Sequence, residues 1–326
     1  MTETLFILFL ALVLDRLVGD PDRLWRRVPH PVVLFGRAIG LMDRLFNDKR
    51  LSADTKRFNG AAGIAVLLAA SIFLGFVLHR LFAPLGIVGA LIEVAIVAVF
   101  LAQKSLHDHV RAVSAGLRQG GLDGGRRAVS MIVGRDPATL DEPAVCRAGI
   151  ESLAENFSDG VVAPAFWYAL FGLPGLFAYK MLNTADSMIG HKNTKYLDFG
   201  WASARLDDLA NWPAARLSIL FIAAGACAAK GRAAARLSIG TALRDAGLHR
   251  SPNSGWPEAA MAGALGIGLA GPRIYGGARV DEPMMNASGR TVATLADIDL
   301  SLRIFSLACA ALAASVLLAA LLSALL

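Results

Sequence analysis

The segment from residue 180 to residue 216 carries the densest set of side chains able to do acid–base or metal chemistry. It reads KMLNTADSMIGHKNTKYLDFGWASARLDDLANWPAAR, with acidic, basic and amide groups interleaved with apolar residues. Charged groups near membrane depth are costly, so they pair with one another and line functional cavities. On a helix Asp207 or Asp208 reaches Asn211 at i+4 or i+3, and Asp208 pairs with Arg205 at i+3. The alternative is a set of structural ion pairs that anchor a loop.

A second candidate is the segment AGIESLAENFSDG, which spaces Glu151, Glu155 and Asp159 at i, i+4 and i+8. On a helix these three carboxylates share one face, and stacked like charges destabilise the helix unless a cation lies between them. A divalent metal or a cluster of Arg and Lys is the implied partner. A solvated acidic face is the alternative, although the stripe runs directly into apolar sequence at Val161.

A third candidate is the turn before a predicted helix in HRSPNSGWPEAAMAGALG. Here Ser251, Asn253 and Ser254 precede a helix that Pro257 and Glu258 begin. A helix N-terminus preceded by small hydroxyl and amide residues offers N–H groups to an anion such as a phosphate. An ordinary helix cap explains the same residues.

Two further groups of residues are less specific. Glu93, in the apolar stretch LIEVAIVAVF, is either the buried partner of a basic residue or an interhelical hydrogen-bond anchor. Cys146, Cys227 and Cys309 are far apart without metal-ligand spacing, so we expect inert small hydrophobes. The sequence contains no Walker-type nucleotide motif.

Composition indicates the architecture that must position these residues. The chain has 326 residues, of which 55% are hydrophobic and 18% charged, against about 25% charged in soluble domains. We therefore predict an all-α polytopic integral membrane protein with about five to six membrane helices, long helical cytoplasmic loops and one membrane-embedded domain over residues 1–326. The net charge of +6 lies in loops and forms no basic stripe interleaved with aromatics, which argues against nucleic-acid binding.

The predicted membrane helices follow from apolar length, because a crossing needs roughly 20 apolar residues. The stretch 161–182 contains Pro164, Gly172, Pro174 and Gly175, so we expect a broken helix or a re-entrant hairpin there. The first stretch lacks the basic region and cleavage site of a signal peptide and is predicted to be a retained span. The candidate stretches are 2–18, 60–82, 84–103 and 302–326, with 161–182 and 213–229 weaker.

The distribution of Lys and Arg predicts the orientation but leaves a conflict. The segments after the first and third stretches and the segment from residue 230 onward are the positive ones, so we expect them in the cytoplasm of a bacterial inner-membrane protein, with the active site on that side. If 161–182 crosses, residues 183–212 lie outside. Either this region folds back into a cavity open to the cytoplasm, or the span count is off by one.

Four long motifs occur in order between about residue 15 and residue 277, and together they resemble the CobD/CbiB family of cobalamin biosynthesis. They are GDPDRLWRRVPHPVVLFGR, ESLAENFSDGVVAPAFWY, KMLNTADSMIGHKNTKYLDFGWASARLDDLANWPAARL and HRSPNSGWPEAAMAGALGIGLAGPRIYGG. Four ordered motifs of this length are far more specific than any single one. The extreme N- and C-termini carry only generic apolar sequence.

The resemblance implies an adenosylcobinamide-phosphate synthase. Such an enzyme joins a propionate carboxyl of adenosylcobyric acid to the amine of (R)-1-aminopropan-2-ol, or of its O-phosphate, and consumes ATP with Mg²⁺. Carboxylates do not condense with ammonium groups in water without activation, so we expect a carboxyl phosphate formed from ATP and attacked by the free amine. This route needs metal-binding carboxylates, cations against phosphates and a base.

We assign these roles as a hypothesis. The expected ligands of Mg²⁺-ATP are Asp207 and Asp208, with Glu151 and Glu155. The expected substrate- and nucleotide-binding residues are Lys192, Arg205, Asn183, Asn211, Ser251, Asn253, Ser254 and Glu258. The expected catalytic residues are Asp186 or His191 as the base and Lys180 against the phosphates. The aromatic residues Trp167, Tyr168, Trp201 and Trp256 either cradle the corrin or anchor the protein at the membrane interface.

Two other functions compete with this one. A transporter would place broken helices and buried charges at a midplane site, but it predicts an internal repeat and short loops, and the sequence has neither. A membrane scaffold for corrinoid intermediates would leave the carboxylates tolerant of substitution. Beyond the corrinoid, the amine and membrane lipid, the partners stay open, including a homo-oligomer or other enzymes of the pathway.

Overall fold

The structure is a computed structural model that describes residues 1–21, 25–134, 137–275 and 278–326, with the backbone alone for 273–275 and 278–280. Residues 22–24 of the first motif and 276–277 of the last lie outside the described residues. The described chain is almost entirely helical, with two small two-stranded sheets, and this confirms the all-α prediction. Two compact units are present. The first comprises Met1–Leu101, Ala163–Asn211 and Val316–Leu326, and the second Ala102–Val162 and Trp212–Ser315.

The α-helices follow one another along the described chain, and the longest connection between them, 266–294, contains the four short strands. They are α1 Thr2–Leu17, α2 Pro31–Phe46, α3 Ala53–Phe82, α4 Ile87–Phe100, α5 Gln103–Val129, α6 Glu142–Phe157, α7 Ala163–Ile189, α8 Trp201–Lys230, α9 Arg232–Asp245, α10 Gly255–Leu265 and α11 Leu295–Leu325. A π-helical turn, Ser158–Val162, lies between α6 and α7. The expectation of one domain over the whole chain stays a prediction.

The described residues include five helical stretches long and apolar enough to cross a membrane. They are Ala53–Leu85, Ile87–Val129, Glu142–Ile189, Trp201–Lys230 and Leu295–Leu325. The protein is therefore a multi-pass membrane protein, as composition predicted. Helix α1 has 16 residues, fewer than the roughly 20 of a straight crossing.

Glycines reverse the chain inside two of the long helical stretches. Gly172 in α7 has φ 62° and ψ −150°, and Gly121 in α5 has φ 55° and ψ −152°, a region that side chains with a Cβ rarely adopt. A Cβ at Gly175 would overlap the carbonyl oxygen of Trp167, eight residues earlier. In a straight helix these residues are about 12 Å apart, so the two halves of α7 fold back on each other. The expected broken helix in 161–182 is confirmed.

The core of the first unit lies where α7 packs on α2, α3 and α4. Phe35, Phe100 and Phe177 form its aromatic centre, with ring centroids 5.1–6.2 Å apart. The buried carboxylate of Glu93 accepts a hydrogen bond of 2.6 Å from Tyr168 Oη. Glu93 is therefore an interhelical hydrogen-bond anchor, one of the two roles predicted for it.

The core of the second unit is formed by two helix pairs, α5 with α6 and α9 with α10. Every residue of α10 except Trp256 is buried, and Gly263 lies against the carbonyl oxygen of Leu237 with no room for a Cβ. Strands β1 (Leu269–Ala270) and β4 (Met284–Met285) pair antiparallel, as do β2 (Arg273–Tyr275) and β3 (Ala278–Val280). Strand β1 also contacts α6 and α10, which places it beside the acidic residues of α6.

Two local predictions are wrong. The acidic stripe does not continue along one α-helical face, because α6 ends at Phe157 and Asp159 lies in the π-helical turn. Helix α10 begins at Gly255 rather than at Pro257, and its N-cap residue Ser254 makes no side-chain cap. The second difference arises because the Ser254 hydroxyl bonds to Glu155 on α6 instead of capping its own helix.

Candidate active site

Most of the candidate residues of segment 180–216 lie on helices, and residues 190–200 form the loop between these helices. Asn183 and Asp186 lie in the last two turns of α7, and Asp207 and Asn211 lie in the first three turns of α8. The group around Asp207 therefore lies at the ends of two long helices of the first unit. We call Asn183, Asp186, Asp207, Asp208 and Asn211 the helix-end cluster.

Asp207 is held by two amides. Its Oδ2 accepts a 2.9 Å hydrogen bond from Asn211 Nδ2, and its Oδ1 accepts a long one of 3.5 Å from Asn183 Nδ2. The Oδ1 of Asn211 accepts in turn from Tyr179 Oη at 2.8 Å. Asp207 is 7% exposed and Asn211 1%, so both orientations are fixed within a buried network. The predicted i+4 contact between Asp207 and Asn211 is confirmed.

Charge is concentrated around these carboxylates. The negative charge of Asp186 acts on Asp207, and the positive charges of Arg205 and Lys192 act on Asp208. Two acidic groups that repel each other within a buried network favour a bound cation. The helix-end cluster therefore combines carboxylates with flanking cations, a combination suited to a metal-bound phosphate.

The two remaining predicted catalytic residues lie nearby in sequence. Lys180 is half-buried on α7, and its carbonyl oxygen accepts a 2.6 Å hydrogen bond from Thr184 Oγ1. His191 is exposed at the start of the loop between α7 and α8, where its carbonyl accepts from Asn193 N at 2.9 Å.

The loop between α7 and α8 is fastened to the other helices of the first unit. Lys195 Nζ lies 2.7 Å from Asp43 Oδ2 on α2, and Arg57 Nε on α3 lies 2.9 Å from Asp198 Oδ1. Burial raises the pKa of the Asp43 carboxyl, but its hydrogen bonds, first among them that from Lys195, outweigh burial and lower the pKa below its usual value. The hydrogen bond to Asp43 likewise raises the pKa of Lys195. The loop that carries His191 is thus held at both of these points.

The second group of predicted residues forms a hydrogen-bonded network within the second unit. Ser254 Oγ donates to Glu155 Oε1 at 2.8 Å, which explains why it does not cap α10. Ser251 Oγ accepts from the backbone N–H groups of Asn253 and Ser254 at 3.3 and 3.2 Å. These two N–H groups are therefore used inside the loop, and the side chains are left as its candidate anion-binding groups. We call residues 251–254 the serine loop.

Two further predicted acidic residues lie close to these groups. Glu258 follows the serine loop, and Glu151 lies one helical turn before Glu155 on α6. Glu258 is 2% exposed, and its Oε1 lies 3.7 Å from His249 Nε2, while His249 Nδ1 accepts from Ser251 N at 3.0 Å. Glu151 is 5% exposed and accepts a 2.8 Å hydrogen bond from the backbone N–H of Ala270 in β1. Both carboxylates thus lie in buried positions with hydrogen-bonding or ionic neighbours from other segments.

Arg216 fastens the serine loop to α8. Its guanidinium lies between the indole rings of Trp212 and Trp256, at 4.5 and 4.7 Å from their centroids. Its Nη1 donates to Asn253 Oδ1 at 2.9 Å. A guanidinium stacked between two indoles combines cation–π attraction with directed hydrogen bonds, so the amide side chain of Asn253 is held in one orientation.

No group of three or more His, Cys, Asp or Glu side chains in the described part of the chain is placed to hold a metal ion by itself. The site geometry is accordingly that of carboxylates in ones and twos with amides and cations around them. Magnesium in nucleotide sites is bound by one or two carboxylates together with substrate phosphates and waters.

Comparison with known proteins decides the family. The model of the family described as CobD/Cbib protein matches residues 8–305. The chain belongs to the CobD/CbiB family. It is 69% identical over 318 residues to a protein of Sinorhizobium sp., a match covering 97% of this chain and 98% of the relative. The relative from Brucella suis biovar 1 is 56% identical over 301 residues, with 92% of each chain covered.

A more distant relative, from Rhodobacter capsulatus, is 46% identical over 283 residues, covering 86% of this chain and 87% of the relative. Each of these three relatives is named cobalamin biosynthesis protein CobD. No solved structure matches the chain. The resemblance drawn from the four motifs is therefore confirmed at the level of the family.

The two candidate sites include residues that the sequence did not single out. Tyr179 precedes Asn183 by four residues on α7 and orients Asn211, and only this helical spacing signalled it. His249 holds the serine loop through contacts that have no sequence signal. Arg216 belongs to the interleaved charged set of segment 180–216, but its contact with the serine loop has no sequence signal either. Tyr168 is fully buried and bonded to Glu93, so its expected placement on a surface that cradles a corrin or anchors at the interface is wrong.

Proposed function

We propose that the protein is an enzyme of cobalamin biosynthesis that forms an amide between adenosylcobyric acid and (R)-1-aminopropan-2-ol or its O-phosphate, at the expense of ATP. The observation that carries this proposal is the helix-end cluster in a chain of the CobD/CbiB family. Relatives covering nearly the whole chain are named for cobalamin biosynthesis, and the cluster has the residue types that carboxyl activation by a nucleotide requires.

The residues of the helix-end cluster fit Mg²⁺-ATP. Asp207 and Asp208 are adjacent on α8, and the charge of Asp186 acts on Asp207, so a divalent cation would relieve repulsion there. We propose Asp207 and Asp208 as the metal ligands, because Mg²⁺ requires one or two carboxylates when phosphates supply further oxygens. The bound metal would neutralise phosphate charge during transfer. Asn183 and Asn211 orient Asp207 through hydrogen bonds.

We assign the cations and the base from their places around the helix-end cluster. Lys192 and Arg205, whose charges act on Asp208, would bind phosphate oxygens, together with Lys180. Asp186, on the last turns of α7, or His191, on the fastened loop, would take the proton from the amine. A base must act on the ammonium because only the free amine carries the lone pair that attacks the activated carboxyl.

For the second unit we propose an anion- and substrate-binding role of the serine loop. Ser251, Asn253 and Ser254 would offer their side chains to the phosphate of the amine or of the nucleotide. The Ser254 hydroxyl donates its one proton to Glu155 in this structure, so it would have to turn away from Glu155 to donate to a phosphate. Glu151 and Glu258 were expected to bind metal and substrate. Their burial and their contacts with Ala270 and His249 favour holding β1 and the serine loop in place.

We further propose that the protein is in the bacterial inner membrane with the helix-end cluster facing the cytoplasm. The loop between α7 and α8 is fastened to the start of α3 and the end of α2. Segment 47–57 holds four Lys and Arg and two Asp, and an excess of positive charge is typical of cytoplasmic connections. The reversal at Gly172 lets residues 183–212 return to the side from which α7 starts, which favours the fold-back alternative.

The decisive experiment uses purified protein in detergent, with adenosylcobyric acid, the amine or its phosphate, ATP and Mg²⁺. We expect amide product to form with ATP consumption, detected by mass spectrometry of the corrinoid. Detergent provides no closed compartment, so product formation also excludes a pure transporter or scaffold. Absence of product with both amines would refute the proposal.

The site assignment is tested with Asp208→Asn. We expect this variant to lose product formation while it elutes from size-exclusion chromatography as wild type does. The matched control is Asp54→Asn, since Asp54 is an exposed carboxylate in the first turn of α3, and it should keep full activity. Full activity of Asp208→Asn would show that Asp208 is not part of the active site.

A further inference from the structure

Helix α2 has two apolar faces, and only one of them packs inside the first unit. Phe35, Ile39 and Met42 are buried there. Leu41 and Leu45 lie on a different face and are 49% and 64% exposed. A helix that is apolar on a second, uncovered face needs a further apolar surface or lipid to cover it.

The uncovered face of α2 is one wall of a groove of about 470 Å³ whose other wall is α3. Phe58, Ala62 and Val66 line the α3 wall, and Phe58 and Val66 are 72% and 67% exposed. The one polar side chain among those lining the groove is Asn59, whose Nδ2 donates to the carbonyl oxygen of Phe46 at 3.0 Å. The groove therefore offers hydrocarbon contacts along about eight residues of helix, or about 12 Å.

The groove begins at the end of α3 that leaves the membrane. Residues 53–59 of α3 read ADTKRFN, whereas residues 60–78 hold no charged side chain. Its mouth at Phe58 is thus at the level of lipid headgroups, and Val66 lies about two turns deeper, in the hydrocarbon. The groove is continuous with the lipid-facing surface of a membrane helix.

Cations lie on α2 beside its row of exposed leucines. Arg37 and Arg44 each follow an exposed leucine, Leu34 or Leu41, by three residues, so on the helix they form a row next to the uncovered apolar row. Both arginines are exposed, as is Arg50 just beyond the helix. Asn59 of α3 bonds to Phe46 at the end of α2, so Arg44 and Arg50 are the cations near the headgroup end of the groove. An apolar groove with arginines near that end matches a molecule with a hydrocarbon chain attached to a phosphate.

We propose that the groove between α2 and α3 binds one acyl chain of an anionic phospholipid of the bilayer, with Arg44 on the lipid phosphate. The lipid covers the exposed leucine row of α2 and holds this 16-residue helix against α3. Arginine beside an anionic headgroup gives preference over zwitterionic lipid, while the apolar contacts are common to both lipids.

The test is native mass spectrometry of the delipidated full-length protein, titrated with phosphatidylglycerol or with phosphatidylcholine of the same acyl chains. Wild type should retain phosphatidylglycerol several-fold more than phosphatidylcholine. Arg44→Gln should weaken phosphatidylglycerol binding about fivefold, the equivalent of about 1 kcal/mol, and leave phosphatidylcholine binding unchanged. Ala62→Phe, which fills the groove from the α3 wall, should weaken binding of both lipids.

Matched controls keep the same chemistry away from the groove. Arg80→Gln changes an exposed arginine at the other end of α3, and Ala69→Phe enlarges an exposed alanine of α3 that does not line the groove; both should bind lipid as wild type does. Equal retention of the two lipids by wild type, or equal effects of Arg44→Gln and Arg80→Gln, would overturn the proposal. So would a delipidated dimer that Ala62→Phe converts to monomer, since the groove would then be a contact between copies. Arg44→Gln carries the test if Ala62→Phe fails to fold.

Discussion

Two buried tyrosines on α7 allow one chemical change to be made at two places with opposite expected consequences. Tyr179 Oη donates to Asn211, which orients Asp207, whereas Tyr168 Oη donates to Glu93 on α4. Both are almost completely buried, at 2% and 0% exposure. Replacing either by phenylalanine removes one hydroxyl and leaves the ring in place.

The stability losses follow from the acceptors. In Tyr179→Phe a neutral amide oxygen loses its donor, which costs about 0.5–1.5 kcal/mol. In Tyr168→Phe a buried carboxylate loses a hydrogen-bond donor, and such a loss typically costs about 1.5–3 kcal/mol of stability. The lower end applies because His79 Nδ1 remains 3.3 Å from Glu93 Oε2. Thermal unfolding in detergent should therefore show Tyr168→Phe as the less stable variant.

The activity losses should run the other way. Removing a group that orients a metal ligand through one intermediary costs about ten- to hundredfold in metal affinity or activity. Because Tyr179 acts on Asp207 through Asn211, we expect the lower end, about tenfold, in amide formation and in the Mg²⁺ concentration required. Tyr168→Phe should keep wild-type activity. Equal activity loss in the two variants, or none in Tyr179→Phe, would refute the reasoning that connects Tyr179 to the site.

Two further predictions concern the fold. Gly175→Ala should destabilise the protein by about 1–3 kcal/mol, since its Cβ would overlap the carbonyl oxygen of Trp167. Gly240→Ala, a helical glycine with open space around it, should instead raise the thermal midpoint, and a destabilised Gly240→Ala would contradict this account. The pKa of the Asp43 carboxyl is lowered in the folded protein. Its pairing with Lys195 therefore stabilises the fold at pH values above the usual carboxyl pKa of 3.8, and this stabilisation is lost as the pH falls through the lower pKa of the folded state. Asp43→Asn should therefore be less stable than wild type at pH 7, with the difference shrinking below about pH 4; a pH-independent difference would show that the pair does not titrate.

The architecture was predictable from composition, and the group around Asp207 from helical spacing. The long apolar stretches identified the membrane helices, and the i+4 spacing of Asp207 and Asn211 identified their hydrogen bond. The serine loop was not predictable in this way. The contacts that determine it, from Glu155 to Ser254 and from Arg216 to Asn253, join residues 99 and 37 positions apart. A local pattern such as Ser-Pro-Asn-Ser-Gly indicates a turn but not which distant side chain will take its hydroxyls.

Hydropathy alone underestimates the length of these helices, because a helix tolerates charged residues that lower the average hydropathy. Segment 183–212 is polar, yet all of it except residues 190–200 is helical. A helix satisfies its backbone N–H and C=O groups whatever its side chains are, so polar residues can occupy the ends of membrane helices. The candidate site residues are better fixed there than on loops, because helical neighbours restrict their rotamers.

The same turn occurs three times and explains why so few residues are left for loops. At 86–89, 121–124 and 172–175 the first residue is a glycine with φ of 55–62°, and the last is a glycine whose Cβ would overlap a backbone carbonyl seven or eight residues earlier. A positive φ reverses the chain within about one residue, and the second glycine lets the two helices approach at backbone contact. This Gly-x-x-Gly spacing is too short to be noticed as a repeat, but it converts long helical stretches into antiparallel pairs. The candidate functional groups consequently fall on helix ends and on the segments between helices, which is where the helix-end cluster and the serine loop lie.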